Sequence, residues 1–143
     1  MEILVSPDDS GFIICDAPVT LVPPKDNQQV GFVIPGVVKY FPISRSMCFR
    51  AGDRGTVRRY RDVGRETVRI INHNIAANSE RFIMGPHKKQ LEAVVTRSAS
   101  EDAENIPRFV VEALRSDGDG SLQKISSRPR RYFYPKNGSN TAP

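Results

Sequence analysis

The sequence is poor in the residues from which metal sites and disulfide scaffolds are built. It has two cysteines, two histidines and no tryptophan among 143 residues. Zinc requires a cluster of His, Cys or carboxylate ligands, and His73 and His87 stand apart from any such cluster. We therefore predict neither a metal nor a cofactor. Cys15 and Cys48 both lie in apolar segments, which favours buried reduced thiols over a disulfide between neighbouring strands.

Long hydrophobic runs and several catalytic motifs are also missing. No segment approaches the ~18 apolar residues that span a membrane, and residues 1–11 lack the basic and apolar regions of a signal peptide. We therefore expect a cytoplasmic location and no membrane partner. There is no phosphate-binding glycine loop, nucleophile elbow or Cys-x-x-Cys pair. The DGDGS segment at 117–121 resembles a calcium loop, but Arg128 stands where that loop needs an acidic ligand.

What remains is a mildly basic chain of one-domain length. Apolar residues make up 38% of it, the formal net charge is +5 and the pI is about 9.5. This charge permits an acidic partner without requiring one. From residue 116 onward Gly, Ser, Pro and charged residues dominate, and such a segment buries too little apolar surface to order itself. We therefore predict a single α+β domain over residues 1–115 and a flexible basic and aromatic tail over 116–143.

Apolar runs and turn formers predict a mainly antiparallel sheet of about five strands with one main helix packed on it. The predicted strand segments are Glu2–Val5, Phe12–Val22, Gln29–Ile34, Val37–Phe49 and Glu80–Met84, and the first two are predicted to form a hairpin. The main helix is predicted at Val63–Ser79, because Val68, Ile71 and Ile75 share one face. Further helices are predicted at His87–Thr96 and Ile106–Leu114, and a charged loop at Arg50–Arg61.

The segment Phe12–Leu21 carries an unexpected acidic residue. Its run of strand formers is interrupted by Asp16, which is followed closely by Pro18. A carboxylate in an apolar strand is costly to bury unless it is paired or hydrogen-bonded. Asp16 is therefore either a catalytic or metal-binding carboxylate at the end of a strand, or a structural residue that bonds the backbone ahead of Pro18. We favour the structural role, because no other acidic residue or histidine lies at a metal-binding spacing from Asp16.

Three segments, in this order, resemble a bacterial family of unknown function. They are Phe12–Leu21 (FIICDAPVTL), Tyr40–Phe49 (YFPISRSMCF) and Val68–Gly85 (VRIINHNIAANSERFIMG). Members of that family carry a strand with a Thr-Ser-Asp-Asn-Pro motif, a Phe-Pro-Leu-Ser strand, and a helix that bears an asparagine. The residues that match these motifs are Asp16, Pro18, Phe41–Ser44, and Asn72 together with Glu80–Ile83, the strand entry that follows the helix.

The resemblance implies an uncharacterised protein that corresponds to the C-terminal half of longer family members. Those members open with a helical half that carries a His-Tyr-x-Pro motif, which is missing before Asp16 in this chain. The family's Thr-Ser pair is Ile14-Cys15 here and its Asn is Ala17, so a polar site built on those side chains is poorer. The resemblance thus implies a shortened homologue, a fragment or a stand-alone module, without any activity that needs both halves.

Polar residues interrupt the main helix next to its apolar stripe. Asn72 lies beside Ile71, and asparagine lowers helix propensity. We therefore predict that the Asn72 amide is buried at the edge of the stripe and bonds the backbone of a neighbouring strand. His73 is predicted to point toward solvent.

Arginines crowd the stretch from Arg45 to Arg69, and a second basic patch surrounds Tyr132–Tyr134. Arginine makes bidentate contacts with phosphate, and an interleaved aromatic side chain can stack on a base. The candidate nucleic-acid-binding residues are Arg54, Arg58, Arg59, Tyr60, Arg61, Arg65, Arg130 and Arg131. The alternatives are a solvated loop whose arginines pair with Asp53, Asp62 and Glu66, a disordered tail, and a tail whose aromatic residues pack on the body as a final strand.

Three functions remain open from the sequence. The leading one is a non-enzymatic module that binds an acidic partner, either nucleic acid or an acidic protein, through the Arg45–Arg69 region. The second is a truncated enzyme-like domain with Asp16 at a vestigial site. The third is a structural or protein-interaction module. The oligomeric state is left open as well.

Overall fold

The protein is described from a computed structural model that defines residues 1–7, 9–26, 29–52, 59–98, 104–112 and 124–134. For residues 98, 104–112 and 124–131 only the backbone is described. Within these ranges the chain forms nine strands and two helices. They are β1 (Glu2–Val5), β2 (Ile14–Cys15), β3 (Thr20–Val22), β4 (Val38–Pro42), β5 (Met47–Ala51), β6 (Arg59–Asp62), α1 (Arg65–Asn78), β7 (Ile83–Met84), α2 (Lys88–Ser98), β8 (Glu104–Glu112) and β9 (Lys124–Tyr132).

Five strands form the central sheet, in the order β3-β4-β5-β1-β6. Neighbouring strands pair antiparallel, except that β1 and β6 are parallel. The parallel pair arises because β1 lies between β5 and β6, which run in opposite directions, so that β1 must be parallel to one of them. The predicted α+β class and the mainly antiparallel five-stranded sheet are confirmed, with this one parallel edge.

The predicted hairpin of Glu2–Val5 with Phe12–Val22 is wrong. β1 pairs with β5 and β6, and the second segment divides into β2 and β3, which are separated by bends at residues 16–19. β2 pairs with β7 outside the central sheet, and β3 pairs with β4 at one edge. Pro18 contributes to the break, because proline lacks the N–H that a continuous strand would donate.

Two other strand predictions change. Val37–Phe49 contains most of a hairpin, in which β4 and β5 pair around the turn at residues 43–46. Arg50–Arg61, predicted as a loop, contributes the end of β5 and most of β6. Gln29–Ile34 contains turns and irregular backbone rather than the predicted strand.

Both helices predicted in residues 63–96 are confirmed within a few residues. α1 begins after Gly64, which supplies no side-chain cap, and ends before Ser79, whose N–H bonds the carbonyl of Ala76. Its apolar stripe is buried as the spacing predicts, and α2 packs beside it. In addition to the stripe, α1 buries several polar side chains, so solvent reaches little of its second half, whereas most of its first turn is exposed.

The helix predicted at Ile106–Leu114 is wrong, because most of this segment lies in β8, which pairs antiparallel with β9. The segment is rich in β-branched and aromatic residues, whose preference for strands opposes the helix-start signal of Pro107. Pro107 lies opposite Pro129 in the ladder. Facing residues in antiparallel strands alternate between hydrogen-bonded and non-hydrogen-bonded pairs. Two prolines that face each other therefore disturb only one residue pair.

Of the predicted flexible tail, the structure describes residues 124–134. β9 occupies most of this stretch, and the side chains of Tyr132 and Phe133 are buried. This part of the chain agrees with the alternative in which the aromatic residues pack on the body as a final strand. The β8–β9 hairpin has one strand on each side of residue 115, and the division into a domain and a tail stays a prediction.

The main core lies between α1 and one face of the central sheet. Its buried members are Leu4, Phe12, Ile13, Cys48, Val63, Val68, Ile71, Ile75 and Val94. A second, smaller cluster joins Val22 to Tyr132. Because α1 contributes to the main core and also contacts β9, it is the element that links the sheet to the C-terminal hairpin. Among the described residues, neither helix has the length and hydrophobicity needed to cross a bilayer.

Candidate functional site

Asp16 lies in the bend between β2 and β3, where its carboxylate meets the loop that follows α1. Its Oδ1 accepts a hydrogen bond from the backbone N–H of Glu80 at 3.0 Å. This bond lowers the pKa of Asp16 below its ordinary value, against the effect of desolvation, and the amides of Arg81 and Phe82 lower it further. Such an ionised, amide-bound carboxylate fits the structural role favoured from the sequence. A catalytic role for Asp16 stays an untested hypothesis.

The described residues bring no metal-binding set together. Within them there is no group of three or more His, Cys, Asp or Glu side chains that could hold an ion. Cys15 and Cys48 are both reduced thiols, with no disulfide between them. Cys48 is fully buried, and burial raises the pKa of its thiol to about 12. A thiol with so high a pKa is unreactive near neutral pH and serves packing.

Asn72 clamps the segment just before β2. Its Oδ1 accepts a hydrogen bond from the N–H of Ile13 at 3.0 Å, and its Nδ2 donates to the carbonyl of Gly11 at 2.9 Å. Asn72 is 1% exposed, so the two bonds replace water at both backbone groups. The prediction that Asn72 is a buried amide that bonds neighbouring backbone is confirmed, although the bonded residues lie just before β2 rather than within a strand.

The prediction that His73 points toward solvent is wrong. His73 is 2% exposed, and its ring packs on Phe133 with the centroids 5.3 Å apart. Burial, reinforced by repulsion from Arg97 and Arg69, lowers the pKa of His73 to about 4, so the ring is neutral at pH 7. Beside it, Asn74 accepts the N–H of Phe133 and donates to the Phe133 carbonyl, both at 2.9 Å. A second asparagine clamp therefore holds the end of the C-terminal hairpin.

Glu2 gathers three of the arginines at one edge of the sheet. Its carboxylate accepts from Arg59 Nε at 2.6 Å and from Arg50 Nη1 at 3.0 Å, while Arg61 Nη1 lies 4.0 Å away. Glu2 is 7% exposed, whereas the three arginine side chains remain partly exposed. Burial alone would raise the pKa of Glu2, but the bonds from Arg59 and Arg50 outweigh it and lower the pKa. One negative and three positive groups leave this cluster net positive.

A row of four apolar side chains, three of them aromatic, crosses four strands on the face of the sheet opposite Glu2. We call it the aromatic row. Along the row, Phe41 faces Phe49, Phe49 faces Ile3, and Ile3 faces Tyr60. Side chains alternate along a strand, so this row lies opposite the face on which Leu4 enters the core. Tyr60 and Phe41, at the two ends, are 73% and 42% exposed, and none of the four belongs to either core cluster.

The structure gathers only part of the predicted nucleic-acid site. Arg59, Tyr60 and Arg61 share the edge strand β6, with the two arginines on the Glu2 side and Tyr60 on the aromatic side. Arg65 is exposed at the start of α1. The remaining candidates are Arg130 and Arg131, whose side chains are not described although they lie in β9, and Arg54 and Arg58, which lie outside the described residues.

Sequence reasoning missed Glu2 and the aromatic row. Glu2 is an acidic residue in a short apolar strand, so the cost of burial that drew attention to Asp16 applies equally to it. The row had a weaker signal, because alternation assigns each residue to a face but does not say which strands are neighbours. His73 and Asn74 lie directly after Asn72. Their roles, which are to pack on Phe133 and to bond its backbone, depend on where Phe133 lies in the fold.

Comparison with models of protein families gives a match. The model of a protein family described as "Protein of unknown function (DUF4238)" matches residues 1–89, which is more than half of the chain. The matched region contains all five strands of the central sheet, α1 and both clamping asparagines, Asn72 and Asn74. Searches of curated proteins and of solved structures found no significant match. The relation to one half of longer proteins and the individual motif assignments stay predictions.

Proposed function

The chain belongs to the DUF4238 family, whose function is unknown, and we propose that it binds single-stranded nucleic acid at the β6 edge of its central sheet. The aromatic row formed by Phe41, Phe49, Ile3 and Tyr60 carries this proposal. Every base has a π-face, so exposed aromatic side chains bind single strands with little sequence preference. Tyr60, the most exposed of the four residues in the row, supplies a stacking surface at the edge.

The charge at the same sheet edge, on the opposite face of β6 from the row, supports the same partner. Arg59 and Arg61 flank Tyr60 on β6, and their side chains are partly exposed even though they bond or approach Glu2. Because Glu2 neutralises only one of the three guanidinium groups around it, the edge keeps a net positive charge that attracts phosphates. The Glu2 carboxylate also fixes the orientation of Arg59, which reduces the entropy lost when the guanidinium contacts a second anion.

Fluorescence anisotropy with a labelled polythymidine strand of about 10 nucleotides, a length within known single-strand site sizes, tests the proposal. We expect a salt-sensitive increase in anisotropy. Tyr60→Ala should weaken binding by roughly tenfold, as the loss of one stacked base predicts, while Tyr60→Phe, which keeps the ring, should bind like the natural sequence. Arg61→Gln should reduce the slope of log K against log salt by about 0.7, the value for one phosphate on a single strand.

Lys89→Gln is the matched charge control, because Lys89 is an exposed cation on α2, away from the sheet edge. It should leave both the affinity and the salt slope unchanged. The proposal is overturned if no anisotropy change occurs at low salt. It is also overturned if Tyr60→Ala binds normally, or if Lys89→Gln and Arg61→Gln weaken binding equally, since binding would then follow net charge alone.

A further inference from the structure

The C-terminal hairpin concentrates arginines in the middle of its two strands. β8 and β9 pair antiparallel over their full length of nine residues each. The seven inner pairs, which join residues 105–111 to residues 125–131, contain no acidic residue and four arginines, namely Arg108, Arg128, Arg130 and Arg131. We call these seven pairs the basic ribbon. At ~3.4 Å per residue it is about 20 Å long.

The acidic residues of the two strands lie at the ends of the ladder. Glu112 lies opposite Lys124, a pair of opposite charges, and Glu104 lies opposite Tyr132. Glu104 is in the diagonal position to Arg130, close enough to offset that one arginine. Within the ladder, the other three arginines have no acidic residue in a facing or diagonal position, so the basic ribbon keeps a positive charge.

Two of these arginines are paired with each other. Arg108 lies opposite Arg128, and Arg130 lies two residues further along the same face of the ribbon, since successive residues of a strand alternate between faces. Like charges directly opposite one another destabilise a ladder, and a two-stranded hairpin has little stability of its own. A phosphate bound between the arginines would remove this repulsion and stabilise the hairpin.

The composition of the ribbon favours a nucleic-acid duplex over a single strand. Single strands bind by stacking their bases on aromatic side chains, whereas the only aromatic residue in the seven inner pairs is Phe109, on the opposite face from Arg108. The ~12 Å wide major groove of B-form DNA admits a two-stranded β-ribbon, and arginine there contacts guanine edges as well as phosphates. The major groove of duplex RNA is too narrow for this.

The body of the protein holds one end of the hairpin. Tyr132 and Phe133 are buried, and Asn74 bonds the Phe133 backbone. Arg128 lies four residues, or about 13 Å, along the strand from Tyr132. Two-stranded ribbons twist more strongly than larger sheets, so we expect the face that Tyr132 shares with Arg128 to turn away from the body along this distance.

We propose that the basic ribbon binds double-stranded DNA in the major groove. Arg108 and Arg128 share a phosphate and Arg130 contacts another phosphate or a guanine edge, while the clamp at Asn74 holds the hairpin on the body. The site is separate from the β6 edge and does not depend on single-strand binding there.

Fluorescence anisotropy with a labelled DNA duplex of about 12 base pairs, slightly more than one helical turn, tests the proposal on the full chain. Arg108→Gln/Arg128→Gln should reduce the slope of log K against log salt by about 1.8, or ~0.9 for each lost phosphate contact. Lys88→Gln/Lys89→Gln removes the same charge from two exposed positions of α2 and is the matched control. It should leave the slope unchanged.

Two further comparisons identify the partner and the site. A duplex RNA of the same sequence should bind at least about tenfold more weakly than the DNA, because its major groove excludes the ribbon. Tyr60→Ala should leave duplex DNA binding unchanged, and Arg108→Gln/Arg128→Gln should leave polythymidine binding unchanged. If polythymidine does not bind but duplex DNA does, the proposal for the β6 edge fails and this one stands.

Hydrogen exchange gives a readout that does not depend on affinity. The amides of Phe109 and Ser127, the pair next to Arg108 and Arg128, should exchange more slowly when duplex DNA is bound. They should also exchange more slowly in free Arg108→Gln/Arg128→Gln, because the repulsion across the ladder is gone. Faster exchange in this free variant would contradict the repulsion and overturn the inference.

The inference is also overturned if duplex DNA gives no anisotropy change at low salt, or if the lysine and arginine double variants reduce the slope equally. Equal affinities for DNA and RNA duplexes would exclude the major groove. Weakening of duplex binding by Tyr60→Ala would show that the β6 edge is the site. Displacement of the duplex by polyglutamate as effective as by unlabelled duplex would indicate an acidic protein as the partner, and each of these three results overturns the inference.

Discussion

Asn72 and Asn74 stand two residues apart on α1 and hold two different parts of the chain with the same pair of bonds. Each side chain accepts a backbone N–H and donates to a backbone carbonyl, as a neighbouring strand would. Asn72 holds Gly11–Ile13, which lies inside the family region, whereas Asn74 holds Phe133, which lies beyond it. The helix of the family region thus also serves as the attachment point for the C-terminal hairpin.

The two clamped segments differ in how much else secures them. Ile13 belongs to the main core, and the Gly11 carbonyl accepts a second bond from Gln90. A side chain at Gly11 would come within 2.7 Å of Pro86, so the backbone there is tightly enclosed. Phe133 is buried, but the aromatic segment it belongs to meets the smaller cluster around Val22 through Tyr132. We infer that the Asn72 clamp opens only with global unfolding, whereas the Asn74 clamp can open locally.

The largest expected effect is that of Asn72→Ala. It leaves the Ile13 N–H unpaired and removes one of the bonds to the Gly11 carbonyl within the core, which should lower the free energy of unfolding by about 3–4 kcal/mol. Urea unfolding followed by circular dichroism measures the change. A loss below ~1 kcal/mol, the worth of one ordinary hydrogen bond, would contradict the view that this clamp belongs to the global core.

A somewhat smaller effect is expected from pH, through His73, which lies between the two clamps. Its pKa falls from 6.5 to about 4 on folding, so between these values the unfolded chain binds more protons. Stability should be complete above pH 6.5 and fall by about 3 kcal/mol as the pH drops to 4. The charged groups near the ring are Arg97, Arg69 and Glu66.

Urea titrations at a series of pH values measure this dependence, and His73→Phe serves as the control because it retains an aromatic ring against Phe133. The control should lose the pH dependence between pH 6.5 and 4. Hydrogen exchange should show faster exchange at Phe133 than at Ile13 as His73 becomes protonated. An equal increase in the exchange rates of the Phe133 and Ile13 amides would contradict the proposed difference between the two clamps.

The smallest expected effect is that of Asn74→Ala, about 2 kcal/mol, because water can reach the Phe133 backbone once the hairpin end is released. Hydrogen exchange should quicken at residues 132–134 and stay slow at Ile13. A double-mutant cycle with Asn72→Ala gives the coupling, which we expect to be under ~0.5 kcal/mol because the two side chains share no partner. A larger coupling would mean that the two clamps open together.

Local patterns predicted some elements well and others poorly. α1 and α2 follow from apolar spacing over one segment each, and their predicted bounds are close to the observed ones. The hairpin prediction failed because Glu2–Val5 pairs with strands more than forty residues away rather than with its neighbour in sequence. The prediction of a helix at Ile106–Leu114 was wrong because it relied on one proline as a helix-start signal, whereas several side chains in the segment favour a strand.

The residues of the candidate sites were also predicted only in part. Asn72 was identified because an asparagine beside an apolar helical stripe must satisfy its amide locally. Arg59, Tyr60 and Arg61 were identified by composition, but their separation onto opposite faces of β6 was not. The burial of His73 against Phe133 was missed altogether, because the sequence places that histidine on a polar side of the helix.

The sequence by itself determined the α+β class, the position of α1 and the backbone-bonding role of Asn72, because these depend on periodicity and on the cost of burying an amide. Only the tertiary structure decided that Glu2 would gather arginines, that His73 would be buried against Phe133, and that four strands would align one aromatic row. The physical reason is that strand order and register bring together residues far apart in the chain. No local pattern encodes which distant segment will fill a given side of a helix or sheet.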